Sequence, residues 1–298
     1  MNMLNISHIL EYECNQNPYP RWNFFQPGGK LKVCCPTIDS VNPCHPQQES
    51  NTTFGGESLD IRDYPWVALI VYKDSRMPTC GGSLINSNHI LSAAHCFDVK
   101  LLHRYEVRIS ERDWFKKSNC SEDGRICREI FEIKNIFIHE NYTSASRYAN
   151  IAVLRLENHV IHLGYIKPIC LPSRKTFLDM NFSRVRLETV GWGETKNERY
   201  SQEVRRIELG FRSLELCKSV YHLEFLEDYS QFCAGVEHGT DSCVGDSGGS
   251  LMYRDGDHWV QLGLVSFRPD DCAQHGVPAV YTSVVYYAKW IVDTVLRE

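Results

Sequence analysis

Short apolar or alternating stretches recur through most of the chain, and turn residues separate them. Such stretches are typical of β-strands with one or both faces buried. Examples are residues 105–109, 185–190 (with a period of two) and 261–267. Only the C-terminal end has the spacing of a helix, with four apolar residues on one face: Val284, Ala288, Ile291 and Val295. The pattern predicts an all-β domain that ends in a helix.

Composition limits the classes of function. The chain has 298 residues, 43% of them hydrophobic, so it can bury a full core. About 250 residues suffice for one all-β domain, which leaves a short segment at the front. The net charge of −5 comes without a basic block, and no run of apolar residues is long enough to span a membrane. We therefore expect no nucleic-acid partner and no membrane partner.

The cysteines and glycosylation acceptors indicate an oxidising compartment. The chain has 13 cysteines, and five Asn-x-Ser/Thr acceptors at Asn5, Asn51, Asn119, Asn141 and Asn181. We expect a secreted, extracellular glycoprotein. The first ten residues lack the features of a signal peptide. We therefore expect that the chain begins inside a longer one or was trimmed.

Two motifs carry candidate chemistry. In the stretch 241–250, Asp-Ser-Cys-Val-Gly-Asp-Ser-Gly-Gly-Ser, Ser247 lies between Gly-Asp and Gly-Gly. Glycines let backbone N–H groups converge on one point, as an oxyanion hole requires. In the stretch 92–96, Ser-Ala-Ala-His-Cys, His95 is set among small residues. Together the two motifs predict a nucleophile and its general base.

These residues resemble those of the chymotrypsin/trypsin family of serine proteases, over residues 53–298. The resemblance implies two six-stranded antiparallel β-barrels with a C-terminal helix. It implies that Ser247 is the nucleophile, that His95 is the base, and that the N–H groups of Gly245 and Ser247 form the oxyanion hole. Asp246 resembles the aspartate that pairs with a newly formed N-terminal amine. No cofactor and no metal are implied.

The front of the chain resembles part of a CLIP domain, the small disulfide module of many arthropod proteases. The resemblance rests on the sequence Cys34-Cys35-Pro36, preceded by Cys14. A complete CLIP domain has six cysteines, so we expect the missing ones upstream. A disordered, cysteine-bearing leader is the alternative. We predict a partial CLIP-like module at 1–38, a linker at 39–52 and a protease domain at 53–298.

The resemblance also implies five disulfide bonds. The predicted pairs are Cys44–Cys170, Cys80–Cys96, Cys120–Cys127, Cys217–Cys233 and Cys243–Cys272.

The third member of the catalytic triad departs from the family. An aspartate is expected just before Ile-Ala in a strand, and Asn150 occupies this position. A carboxylate there would fix the tautomer of the histidine and stabilise its protonated form, whereas an amide is neutral. The same replacement in a related protease lowers kcat by about 10⁴. The alternative interpretation of Asn150 is a substitution made in the laboratory.

The activation site departs as well. Zymogens of the family are cut after Arg or Lys, and the cut frees a new N-terminus with a sequence such as Ile-Val-Gly-Gly. Here the equivalent begins at Thr53, after Thr52, and no Lys or Arg lies between Lys32 and Arg62. A trypsin-like activator therefore has no residue to recognise.

The predicted substrate pocket combines a residue typical of trypsin-like members with residues that depart from them. Asp241 resembles the pocket base that binds Arg or Lys, and Ser266 lies in one wall. Arg268 and Ala279 stand where trypsin-like members usually have glycines. Arg268 either folds inward to neutralise Asp241 or points to solvent. In both cases Ala279 narrows the substrate pocket.

Glu111, with Glu129 or Glu132, is a weak candidate for a calcium site, because carboxylate oxygens suit this ion. Solvated surface glutamates are the favoured alternative.

The leading hypothesis is a secreted, catalytically impaired serine protease homologue that binds other proteases or zymogens of an extracellular cascade, as in innate immunity. The alternative is an active endopeptidase that cleaves after Arg or Lys, because Ser247, His95 and Asp241 are all retained.

Overall fold

The computed structural model describes the backbone of residues 22–25 and 31–34. It also describes, with all side chains but that of Leu214, residues 41, 42, 44, 59–116, 120, 124–161, 165–172, 185–193, 200–221, 230–235, 247–267 and 277–297.

The first barrel is a closed antiparallel sheet of six strands in the order β3-β4-β5-β8-β7-β6. Its strands are β3 (Val67–Tyr72), β4 (Pro78–Asn86), β5 (His89–Ser92), β6 (Tyr105–Ile109), β7 (Glu129–Ile138) and β8 (Ala152–Leu156). β3, β4 and β5 are buried along almost their whole length. These strands therefore form the centre of the core.

The second barrel is also closed and six-stranded, in the order β10-β11-β14-β13-β12-β9. Its strands are β9 (Leu187–Gly191), β10 (Arg205–Arg212), β11 (Gln231–Gly235), β12 (Ser250–Asp255), β13 (His258–Phe267) and β14 (Ala279–Ser283). Closure pairs every strand on both sides, so neither barrel has a free edge.

Two α-helices are described, α1 (Leu214–Tyr221) and α2 (Ala288–Val295). Three 3₁₀ segments lie in the first half: Ile61–Asp63, Ala94–Cys96 and Val99–Arg104. A separate antiparallel hairpin pairs β1 (Trp22–Phe25) with β2 (Leu31–Cys34).

Polar and aromatic contacts join the two barrels. Ser83 Oγ of β4 donates a 2.6 Å hydrogen bond to Gln261 Oε1 of β13, and both residues are buried. Trp66 and Trp259 approach each other with ring centroids 6.3 Å apart. Buried side chains from both barrels therefore fix the position of one barrel against the other.

The predicted fold class is confirmed, because the structure has two closed six-stranded antiparallel barrels and a C-terminal helix. The strand predicted at 105–109 has the predicted bounds, and the one predicted at 185–190 is Leu187–Gly191. The apolar stripe of α2 faces inward, with Ile291 and Val295 buried in the same core as β8. The pairing of Cys14, Cys34 and Cys35 lies outside the described residues.

Candidate active site

Two neighbouring strands of the first barrel bring His95 and Asn150 together. The 3₁₀ segment Ala94–Cys96 follows β5, and Asn150 lies two residues before β8. The end of β5 pairs with the start of β8 through Ser92 and Ala152. The loops after β5 and before β8 therefore meet at one end of the barrel.

Ser247 is held beside this pair by backbone hydrogen bonds. The Gly81 N–H donates to the Ser247 carbonyl oxygen over 2.9 Å. On the other side, the Gly248 N–H donates to Val265 O over 2.8 Å, and the Val265 N–H donates to Gly249 O over 3.0 Å. The segment that carries the serine is thus bound to β4 of the first barrel and to β13 of the second.

Gly248 cannot be replaced without strain, because its φ is +80°. A Cβ built there would lie 2.3 Å from Ser92 Oγ, 2.8 Å from Ala93 N and 2.8 Å from Gly81 O. The glycine therefore lets the serine segment pack directly against the backbone that leads to His95.

The amide of Asn150 is fully buried, and its hydrogen bonds determine which way it points. The main-chain N–H of His95, which can only donate, lies 3.0 Å from Oδ1. Nδ2 donates to Ser266 Oγ over 2.8 Å. The backbone is held as well, since Thr282 Oγ1 donates to Asn150 O over 3.0 Å. The oxygen of the amide is therefore directed at the backbone of His95.

This orientation places an N–H of Asn150 against the imidazole. Nδ2 lies 2.8 Å from His95 Nδ1, and Oδ1 lies 3.1 Å from it. A proton on Nδ1 would face the N–H of the amide at the shorter distance, so the distances favour Nδ1 as an acceptor from Nδ2 over Nδ1 as a donor to Oδ1. The imidazole proton is then on Nε2, the nitrogen that must be free to accept the proton of a serine nucleophile. The local geometry favours the unproductive tautomer.

The environment of His95 also opposes its protonation. Burial, and then the positive charge of Arg147, lower the pKa of His95 from 6.5 to about 4, and the nearby oxygen of Asn150, which would accept from a protonated imidazole, only partly opposes this. A histidine that acts as a general base acquires positive charge in the transition state. At the position of Asn150 the described residues therefore supply a neutral amide and no negative charge to stabilise the imidazolium.

The sequence model of the Trypsin family matches residues 53–291. The chain belongs to the trypsin family.

The similar proteins include CLIP-domain members of the trypsin family. CLIP domain-containing serine protease B15 of Anopheles gambiae is 35% identical over 89% of this chain and 75% of its own length. Serine protease 7 of Drosophila melanogaster is 37% identical over 87% of this chain and 68% of its own length. Phenoloxidase-activating factor 3 of Holotrichia diomphalia is 33% identical over 90% of this chain and 81% of its own length.

Several predicted residues of this trypsin-family chain lie outside the described residues. They are the oxyanion residue Gly245 with its neighbour Asp246, the pocket residues Asp241 and Arg268, the pair Cys243–Cys272, and the activation residues Thr52 and Thr53. The predictions for these positions remain predictions.

Of the predicted pocket residues, Ser266 and Ala279 are described. Ser266 lies in β13, is almost fully buried, and uses its hydroxyl on Asn150. Ala279 begins β14 and is partly exposed. Beside it, Tyr221 Oη of α1 donates to Pro278 O over 2.6 Å. The structure therefore joins Ser266 to the triad and braces the strand that begins at Ala279.

Four of the five predicted disulfide bonds are present in the described part of the chain: Cys44–Cys170, Cys80–Cys96, Cys120–Cys127 and Cys217–Cys233. Cys80–Cys96 connects β4 to the segment that carries His95. Asn42 adds to the attachment at Cys44, because its Nδ2 donates to Ile169 O over 2.9 Å and its Oδ1 accepts from the Leu171 N–H over 2.7 Å. This part of the predicted linker is therefore docked on the protease fold.

The favoured interpretation of Glu111 as a solvated surface residue is wrong. Glu111 is buried, and its Oε2 lies 2.7 Å from Arg128 Nη1 and 3.6 Å from Arg108 Nη1. Glu132, a possible second calcium ligand, pairs with Lys73 at the surface. Two guanidinium groups therefore satisfy the carboxylate that a calcium ion would need, so these residues do not fit the ion.

Among the described residues, one cluster has candidate metal-ligating atoms within 4.8 Å of one another: Cys80, His95 and Cys96. Its two sulfurs are joined in a disulfide and offer no thiolate. In the part of the chain that the structure describes, no helix is long and apolar enough to cross a membrane.

Sequence reasoning missed two residues that act on the triad. Thr282 holds the backbone of Asn150 from the second barrel, and Arg147 places a charge near His95. No local pattern marks Thr282, which is one of several polar residues in a strand. Arg147 lies three residues before Asn150, and this proximity in the sequence was the one available signal.

Proposed function

We propose that this trypsin-family chain is a catalytically impaired serine protease homologue, secreted, that acts as a binding cofactor or regulator in an extracellular proteolytic cascade. Its partners in this proposal are other proteases or zymogens.

The observation that carries the proposal is the amide of Asn150 against His95 Nδ1. An amide in this orientation supplies a donor where the reaction needs an acceptor, and it supplies no charge. The lowered pKa of His95 acts in the same direction. The predicted loss of a basic activation residue and the predicted pocket walls support impairment independently, because they affect different steps.

The cascade role is supported by relatives. Two similar proteins from Holotrichia diomphalia have the name phenoloxidase-activating factor, and several others are CLIP domain-containing serine proteases. Secretion is supported by the disulfide bonds and by the exposed glycosylation acceptor Asn141. We extend to this chain a place in the same kind of cascade.

The second candidate function is an endopeptidase that cleaves after Arg or Lys. It is favoured by the retained arrangement of Ser247 next to the His95 segment, since a protein under no catalytic demand has no need of this geometry. When a triad is broken, substrate binding and oxyanion stabilisation alone still accelerate hydrolysis by about 10³–10⁴ over the reaction in water.

An activation experiment separates the two functions. The secreted chain carries T52R and T53I, is cut by a trypsin-like protease, and is assayed on a small arginine ester. The matched variant adds N150D, and S247A supplies the background. We expect the N150D form to be faster by about 10⁴, the factor that the same exchange has in a related protease.

The outcome that would refute the proposal is turnover by the asparagine form within a few-fold of its N150D counterpart. If both forms are silent, impairment stands and extends to the pocket or the oxyanion hole. A covalent serine-directed probe gives a second readout: strong labelling of Ser247 in the unaltered chain would support the endopeptidase.

A further inference from the structure

A short piece of the front of the chain, the front segment (Val41, Asn42 and Cys44), is attached to the protease fold by more than a disulfide bond. Val41 and Asn42 are almost fully buried, and Val41 belongs to the same hydrophobic core as β3 and β4. Cys44 packs against the core of the second barrel and forms the disulfide bond to Cys170. The front segment therefore contacts the cores of both barrels.

The side chain of Asn42 uses both of its N–H groups and its oxygen on the backbone of the fold. Nδ2 donates to Ile85 O and, over 2.9 Å, to Ile169 O. Oδ1 accepts from the Leu171 N–H over 2.7 Å. The three partner residues are buried. Two carbonyl oxygens and one N–H group thus surround the side chain in the pattern that a primary amide satisfies.

An irregularity in the pairing of β4 with β5 provides the first of these partners. The register shifts between Leu84 and Asn86, so Ile85 falls between the paired residues of the two strands. Asn86 adds a contact to the front segment, because its Nδ2 donates to Val41 O over 3.0 Å. The end of β4 therefore holds the backbone of Val41 and the amide of Asn42 together.

The other two partners lie on either side of Cys170. The Cys170 N–H donates to Trp259 O over 3.1 Å, and Cys170 O accepts from the Gln261 N–H over 2.9 Å, so this residue is paired with β13. In a paired extended chain, the neighbouring residues direct their N–H and carbonyl groups to the opposite side. Ile169 O and the Leu171 N–H are therefore directed away from β13, where Asn42 binds them as a peptide group would.

Four residues form the groove around Asn42, which we call the amide groove: Ile85, Asn86, Ile169 and Leu171. We propose that the amide groove is a peptide-binding site that holds the front segment without the disulfide bond. A carboxylate has no donor and a hydroxyl has only one, whereas a primary amide supplies two donors and an acceptor together. The ligand is therefore a peptide with an asparagine after an apolar residue, which this chain itself supplies as Val41-Asn42.

The consequence concerns the chain after its linker is cut. The front of the chain stays on the protease domain because the amide groove binds it, even when the disulfide bond is absent. The inference goes beyond the proposed function, since it requires neither impaired catalysis nor a partner in a cascade.

The test removes the disulfide bond and cuts the linker. The full-length protein carries C44S and C170S, with a recognition sequence for a site-specific protease inserted after residue 48. After the cut, gel filtration over a dilution series measures the Kd of the front piece, and non-reducing denaturing electrophoresis verifies that no covalent bond joins the two pieces. We expect the two pieces to elute together.

N42D is the deciding variant, because aspartate has the shape of asparagine but no donor. In the C44S/C170S protein it should raise the Kd of the front piece by at least about 100-fold, because the carboxylate would face two carbonyl oxygens. Asn158 is exposed, so the same exchange there, N158D, is the matched control and should leave the Kd unchanged. Release of the front piece already in the C44S/C170S protein, or equal retention in N42D, would overturn the proposal.

A second measurement covers an N42D variant that folds poorly. Two synthetic peptides of residues 37–48, both with Cys44→Ser, differ only by Asn42→Asp and are added in excess to the cut C44S/C170S protein. The peptide with asparagine should displace the front piece, and the peptide with aspartate should not. Displacement by both peptides, or by neither, would contradict binding through the amide.

Discussion

Replacing Asn150 by aspartate should reverse the tautomer of His95. N150D keeps the shape of the side chain and the bond from the His95 main-chain N–H to Oδ1. It changes Nδ2, which donates to Nδ1 over 2.8 Å, into an oxygen that accepts. The hydroxyl of Ser266 can rotate and donate to the new oxygen. The substitution therefore exchanges one donor for one acceptor and adds one negative charge.

The size of the effect follows from the geometry. Two unit charges about 4 Å apart interact by about 4 kcal/mol at the effective dielectric constant of a partly exposed site. This corresponds to about a thousandfold in the proton affinity of the imidazole. The pKa of His95, about 4 in the protein, should therefore rise to its ordinary value of 6.5 or higher in N150D. The transition state should gain a similar free energy.

The assay is nitrogen-detected NMR of ¹⁵N-histidine-labelled protein, with H95Q to assign the signals. At neutral pH we expect the proton of His95 on Nε2 in the unaltered protein and on Nδ1 in N150D. A titration of the same signals gives the two pKa values. Finding the proton on Nδ1 in both proteins, or the same pKa in both, would refute the argument from amide orientation.

Other predictions concern stability and are measured by urea unfolding. G248A should lower the free energy of unfolding by about 2–5 kcal/mol, because the new Cβ would be on a left-handed backbone and would make three close contacts. Gly256 has a φ of +57° and open space around it, so G256A should lower the free energy of unfolding by only about 1 kcal/mol. Equal losses in the two variants would contradict this prediction. E111A should lower the free energy of unfolding by about 3–5 kcal/mol, because it removes the buried carboxylate that pairs with the largely buried Arg128. E132A at the surface should change it by only about 0.5 kcal/mol. Calcium should stabilise neither variant nor the unaltered protein. The pKa of His95 is lower in the folded state than in the unfolded state, so the folded state binds fewer protons between pH 6.5 and 4. The free energy of unfolding should therefore fall by up to about 3 kcal/mol as the pH decreases from 6.5 to 4. H95Q should flatten this dependence, and an unchanged slope would exclude His95 as its source.

The candidate site was predictable wherever chemistry depends on residues close together in sequence. Ser247 lies in a glycine-rich turn and His95 among small residues, and both signals are local. The same holds for Asn150, whose place before an Ile-Ala strand marks it as the third triad position. The interpretation of Glu111 as a surface residue was wrong because its nearer partner, Arg128, is 17 residues away in sequence and reaches it through the pairing of β6 with β7.

By itself, the amino-acid sequence determined the class of fold and predicted the three triad positions. Periodic apolar residues select strands, and short motifs select the reacting groups. The tertiary structure decided how these groups face one another. The direction of the Asn150 amide depends on the backbone of His95 and on Ser266 in the other barrel. The charge near His95 depends on a left-handed backbone at Arg147 that a buried glutamine supports. Hydrogen bonds and Coulomb interactions act over distances in space, so these features follow only from the packed barrels.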